Sequence, residues 1–134
     1  MNKENNRDIR LRALRALEDL PDARSVEVAS NILKQDEDSD TRMLALRVLE
    51  EIESRECVPA ITYALKNDPV ANIRARAVSI LEDIGDARAI DALLHAAKND
   101  PNKYVRNRAI RALGEFDDPR VKDAMLEILK KNYR

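Results

Sequence analysis

Shifted by 32 residues, the chain matches itself without a gap. Arg10, Arg42, Arg74 and Arg106 share one column of that register, and Ala13, Ala45, Ala77 and Ala109 share a second. Leu17, Leu49, Leu81 and Leu113 form a third, and Lys34, Lys66, Lys98 and Lys130 a fourth. Other columns keep only character: Leu20, Ile52, Ile84 and Phe116 are large and apolar, while Glu4, Asp36, Asp68 and Asp100 are acidic. A fixed period of this length marks an array of small supersecondary units.

Within a unit the period is helical. In the third, Ile73, Ala77, Leu81 and Ile84 fall on one face of a helix, and Ile90, Leu93, Leu94 and Ala97 on one face of another. Gly85-Asp86 lies between them. Glycine supplies the left-handed residue that ends a helix, and aspartate caps the next one. The capping column reads Asp22, Ser54, Asp86 and Asp118, with Pro119 following the last cap where a helix tolerates proline. Asp68-Pro69 and Asp100-Pro101 open the third and fourth units by the same logic. The spacing predicts a helix A over about 70–83 and a helix B over about 87–98 in the third unit. Four such hairpins, at about 4–35, 36–67, 68–99 and 100–131, make eight helices in a single domain over 1–134. One hairpin cannot bury its apolar face alone, so the hairpins stack into an all-α solenoid, an α-α superhelix. Two glycines and 3% aromatic residues argue against a β-sandwich or barrel.

The unit runs from an acidic start through an apolar-Arg pair, two further residues, Ala, then Ala-Leu, Gly or an acid, an apolar residue, to Asp and a second helix. This pattern resembles the HEAT-like repeats, in particular the short type of phycobilin-lyase-like proteins. Asp100-Pro101, Val105-Arg106, Ala109, Ala112-Leu113-Gly114 and Asp118 carry the resemblance, which covers about residues 4–131. The second unit departs most: Thr41 replaces the apolar residue, and Glu53-Ser54-Arg55 replaces the Gly-Asp turn. The resemblance implies the superhelical fold and says little about function, because such repeats serve many roles.

Lys plus Arg number 24 and Asp plus Glu 25, so no overall charge draws the chain to nucleic acid or an anionic membrane. No apolar run is long enough to span a bilayer. Met1 to Asn6 lacks the apolar core of a signal peptide, and Cys57, the sole cysteine, has no partner for an intrachain disulfide. A cytoplasmic setting is the default expectation. His95 is the only histidine, and Gly-rich phosphate loops, HExxH and CxxC spacings are missing. The expectation is therefore no catalytic, cofactor or metal site. Cys57 shares a column with Ser25, Ala89 and Val121 and reads as a small packing residue.

The arginine column sits in the first turns of helix A, where the helix dipole disfavours a cation. Arg10, Arg42, Arg74 and Arg106 therefore need partners. A structural ladder to acids of the same or the next repeat is expected, with Asp22, Asp86 and Asp118 as candidate acceptors. The lysine column ends helix B, where a cation complements the dipole. On helix A, Arg15–Asp19, Arg47–Glu51 and Arg111–Glu115 have the spacing of weak surface pairs along one helix. Interleaved acids repel phosphate, which weighs against nucleic acid as the ligand.

In solenoids the second helix of each pair usually lines the concave, binding side. Off the apolar stripe of helix B lie Glu27, Pro59, Asp91 and Asp123 in one column and Asn31, Tyr63, His95 and Glu127 in another. The expected function is a non-catalytic protein–protein interaction scaffold, with Tyr63, His95, Asp91, Asp123, Lys66 and Lys98 meeting the partner. The alternatives are an enzyme-associated or lyase-type HEAT-repeat subunit and a nucleic-acid-binding HEAT-like protein. The first and last repeats look like internal ones, apart from Lys122 in the column of Val26, Val58 and Ile90. Such weakly capped ends fit self-association through the repeat ends, an end-on partner, or a chain derived from a longer or engineered array, and the sequence does not separate the three.

Overall fold

In the computed structural model, residues 3–133 are described, and side chains from residue 6 onward. Eight α-helices follow in order: α1 (Lys3–Asp19), α2 (Val26–Gln35), α3 (Ser39–Ile52), α4 (Val58–Asn67), α5 (Ala71–Ile84), α6 (Ile90–Asn99), α7 (Lys103–Leu113) and α8 (Pro119–Asn132). No strand occurs among the described residues. The odd helices stack α1 on α3, α3 on α5 and α5 on α7. The even helices stack α2 on α4, α4 on α6 and α6 on α8. Across the two layers α2 meets α3, α4 meets α5 and α6 meets α7. The result is a row of four hairpins, the solenoid that the period predicts.

The columns explain the packing. Ala45, Ala77 and Ala109 are fully buried, as are Leu49, Leu81 and Leu113. A methyl side chain lets neighbouring helices approach closely, and the leucines fill the space between layers. Thr41 is also fully buried in the apolar column of Ile73 and Val105. Its hydroxyl is accommodated because it donates to the Asp38 carboxylate at 2.6 Å.

The turns depart from the expected boundaries in one respect. Helix B does not begin at residue 87; a 3-10 turn spans Ala87–Ala89 and the α-helix starts at Ile90. The Ala89 N–H donates to the Asp86 carbonyl at 3.0 Å, the i+3 bond of a 3-10 turn, while the Asp86 carboxylate accepts the N–H of Arg88. Asp22 and Ser54 do the same ahead of α2 and α4. The fourth repeat omits the 3-10 turn, and Asp118 caps α8 directly, with Pro119 in its first turn.

Gly85 closes α5 in the left-handed region at φ 69°. The second repeat reaches the same geometry without glycine, because Glu53 takes φ 56°. The changed Glu-Ser-Arg sequence therefore leaves the shape of the turn intact. A left-handed residue with a Cβ is strained, so Glu53→Gly is expected to stabilise the fold by about 0.5–1 kcal/mol, after the entropy that glycine adds to the unfolded chain. A raised urea midpoint would show this; a lowered one would mean that the Glu53 side chain stabilises the turn.

Candidate functional site

The arginine column forms a ladder along the edge where the repeats join. Arg42 places Nε 2.9 Å and Nη2 3.3 Å from the two Asp68 carboxylate oxygens. Arg74 does the same to Asp100 at 2.8 and 3.1 Å. Arg10 Nε lies 2.9 Å from Asp36 Oδ2, within ion-pair range but off the line of a hydrogen bond. Three of the column's arginines also donate backward. Arg42 reaches the carbonyl of Asp36, Arg74 that of Asp68 and Arg106 that of Asp100, at 2.7–3.0 Å. One guanidinium thus ties two successive inter-repeat loops together. The acceptors also accept the N–H two residues on, those of Asp38, Val70 and Asn102, which fixes their carboxylates in place.

The acceptors are therefore the acids that open the next repeat, and not Asp22, Asp86 or Asp118. Those three are held locally: each takes the backbone N–H and the guanidinium of the arginine two residues on, Arg24, Arg88 or Arg120. Their carboxylates are fully engaged beside helix B, away from the ladder edge. The Arg24 and Arg88 guanidiniums, helped by the same residues' N–H groups, hold the Asp22 and Asp86 carboxyls at about 2. Both values lie below the ordinary 3.8, so this stabilisation is complete above about pH 5 and is lost as pH falls toward 2. Melting temperature is expected to hold from pH 7 to about 5 and then decline, with Asp86→Asn flattening part of the decline. An identical acid limb in Asp86→Asn would contradict the assignment.

Three outer arginines of helix A pair across repeats instead of along their own helix. Arg76 reaches Glu50 at 2.7 Å and Arg108 reaches Glu82 at 3.3 Å, while Arg47 lies 4.0 Å from Glu18. The expected pair Arg47–Glu51 gives way because the acid of the adjacent helix lies closer to the guanidinium. Sequence reading also missed Tyr104, which is 64% exposed. With Met43, Arg47, Arg76 and Ser79 it lines an open groove of about 450 Å³ on the helix-A side.

On the helix-B side the six expected contact residues are all exposed. Tyr63 lies under Lys34, whose ammonium is 5.5 Å from the ring centroid. Asp91 pairs with Arg120 at 2.7 Å and Lys98 with Glu127 at 3.1 Å. His95 Nδ1 is 3.4 Å from the Asn99 amide and shares a cleft of about 160 Å³ with Lys66. Tyr63 is thus engaged from the preceding repeat by Lys34, while His95 opens toward Lys66. Asp123 stands on α8 in the same column as Asp91. Cys57 is fully buried against the Leu49 carbonyl, and burial pushes its thiol up, which makes it unreactive. Among the described residues, no group of three His, Cys, Asp or Glu could hold a metal, and no helix is long and apolar enough to cross a membrane.

The profile of the HEAT repeats matches residues 1–69 and again 58–134. The chain belongs to the HEAT repeats. Its arginine ladder, paired helices and Ala-Leu columns are thus the local form of a HEAT array. No curated protein matches this HEAT-repeat chain.

Proposed function

We propose that this HEAT-repeat chain is a non-catalytic scaffold that binds a protein partner across its helix-B face, with self-association through the repeat ends as a second mode of interaction. HEAT repeats generally mediate protein–protein interaction. One observation carries the choice of face. Tyr63 is 44% exposed near the middle of the row, its ring backed by Lys34, and Lys66, Asp91 and Lys98 on the even helices are exposed as well. A large aromatic held in place within a charged rim is the composition of an interface anchor. Asp91 and Lys98 are already paired, so a partner gains them with their geometry set.

The test is capture from lysate of the source cells, with Tyr63→Ala and Asp91→Lys as separate variants. Both substitutions lie on the surface, so helicity should match the parent, and the lost Asp91–Arg120 pair is solvent-exposed and adds little to stability. The proposal predicts that a protein captured by the parent is lost from both variants. Capture of the same proteins by all three chains would discard this face.

A further inference from the structure

The apolar columns are satisfied everywhere except at the two ends of the row. Ile9 is 53% exposed, whereas its equivalents Thr41, Ile73 and Val105 are at most 1% exposed. Val28 is 49% exposed, against 2–5% for Ala60, Ala92 and Ala124. Leu20 joins them at 70%. At the other end Leu129 is 52% exposed, whereas Leu33, Leu65 and Ala97 are buried. The first repeat thus presents the surface that a hairpin covers elsewhere, and the fourth presents the surface that does the covering.

The charges at the two ends also match. Arg7 of the first repeat pairs with Asp40 of the second at 3.1 Å, and Arg120 of the fourth reaches back to Asp91 of the third at 2.7 Å. Applied once more beyond α8, the 32-residue repeat sets Lys103 against Asp8 of the added unit, and Arg24 of that unit against Asp123. Among the described residues Lys103, Asp8 and Asp123 have no ion-pair partner, and Arg24 has only Asp22. Arg106 is the open rung of the ladder: it donates to the Asp100 and Pro101 carbonyls and meets no carboxylate among the described residues.

We infer that the fourth repeat of one copy stacks on the first repeat of the next in the register of the internal repeats. The inference rests on self-association through the repeat ends and specifies its geometry. Arg24 meets Asp123 of the neighbouring copy, Asp8 meets its Lys103, and Ile9, Leu20 and Val28 pack toward Leu129. The two surfaces differ, so the contact is heterologous and copies add head to tail rather than closing as a two-fold dimer. Lys122 and Asn107 stand in otherwise apolar columns of the fourth repeat, which keeps each contact weak and the assembly dependent on concentration.

Sedimentation equilibrium of the full chain, from micromolar to millimolar, provides the test, with circular dichroism confirming the fold of each variant. The average mass should keep rising with concentration and pass that of a dimer. Leu20→Glu should hold the protein monomeric. Asp123→Arg should weaken association, and adding Arg24→Asp in the same chain should restore it. A monomer throughout would overturn both the register and the association it rests on. Association abolished by Leu20→Glu but not restored by the reversed charge pair would overturn the register alone. A mass that levels off at two copies would also overturn it.

Discussion

Arg74→Ala destabilises the protein by about 3–5 kcal/mol, the usual cost of removing one member of a buried ion pair. Arg74 is 8% exposed and its partner Asp100 is 6% exposed. Truncation leaves the Asp100 carboxylate in a site that water barely reaches, with only the Asn102 N–H still donating to it. The Asp68 carbonyl loses a donor as well. Two controls separate the ladder from a general effect of losing arginine. Arg106→Ala, half-exposed and without a carboxylate, should cost about 1 kcal/mol. Adding Asp100→Ala to Arg74→Ala should recover part of the loss, because the stranded charge is then gone. Thermal melts read all three, and an Arg74→Ala chain melting with the parent would refute the ladder as a stabilising element.

Leu81→Ala is the second large effect, at about 2–5 kcal/mol for a fully buried leucine whose surroundings cannot collapse onto the cavity. The informative comparison is within its column. Leu49, Leu81 and Leu113 are fully buried, each with a preceding hairpin against its own, whereas Leu17, in the first repeat, is only half-buried. Leu17→Ala opens toward solvent and should cost about 1 kcal/mol. Equal losses at Leu17 and Leu81, by urea unfolding, would mean that burial in this column does not come from the neighbouring hairpins.

The period, helix pairs and apolar faces were legible in the sequence because each residue type recurs in register, and repetition averages out local accidents. Pairing was less legible. The ladder donors stood out, since an arginine near a helix N-terminus needs a partner. Their acceptors did not, because Asp22, Asp86 and Asp118 look as suitable as Asp36, Asp68 and Asp100 until it is seen that the first set is occupied locally. The Asp-Pro starts serve both as turn formers and as ladder acceptors, and only the stacked loops bring them within reach. The same reason hid the cross-repeat pairs of Arg76 and Arg108: spacing along one helix says nothing about the acid on the next. On the helix-B face the columns placed Tyr63 and His95 on one row, but contact geometry gave Tyr63 to Lys34.

The account depends on each hairpin being stabilised by the hairpins beside it and not by one closed core. Deleting residues 68–99 tests this most directly, because it removes one whole repeat and joins Asn67 to Asp100 in register. Arg42 then finds Asp100 where Asp68 stood, and α4 meets α7 as it met α5. The shortened chain should keep its helicity per residue by circular dichroism and melt in a single transition at a lower temperature. A chain that loses its helices on this deletion would contradict the stacked row.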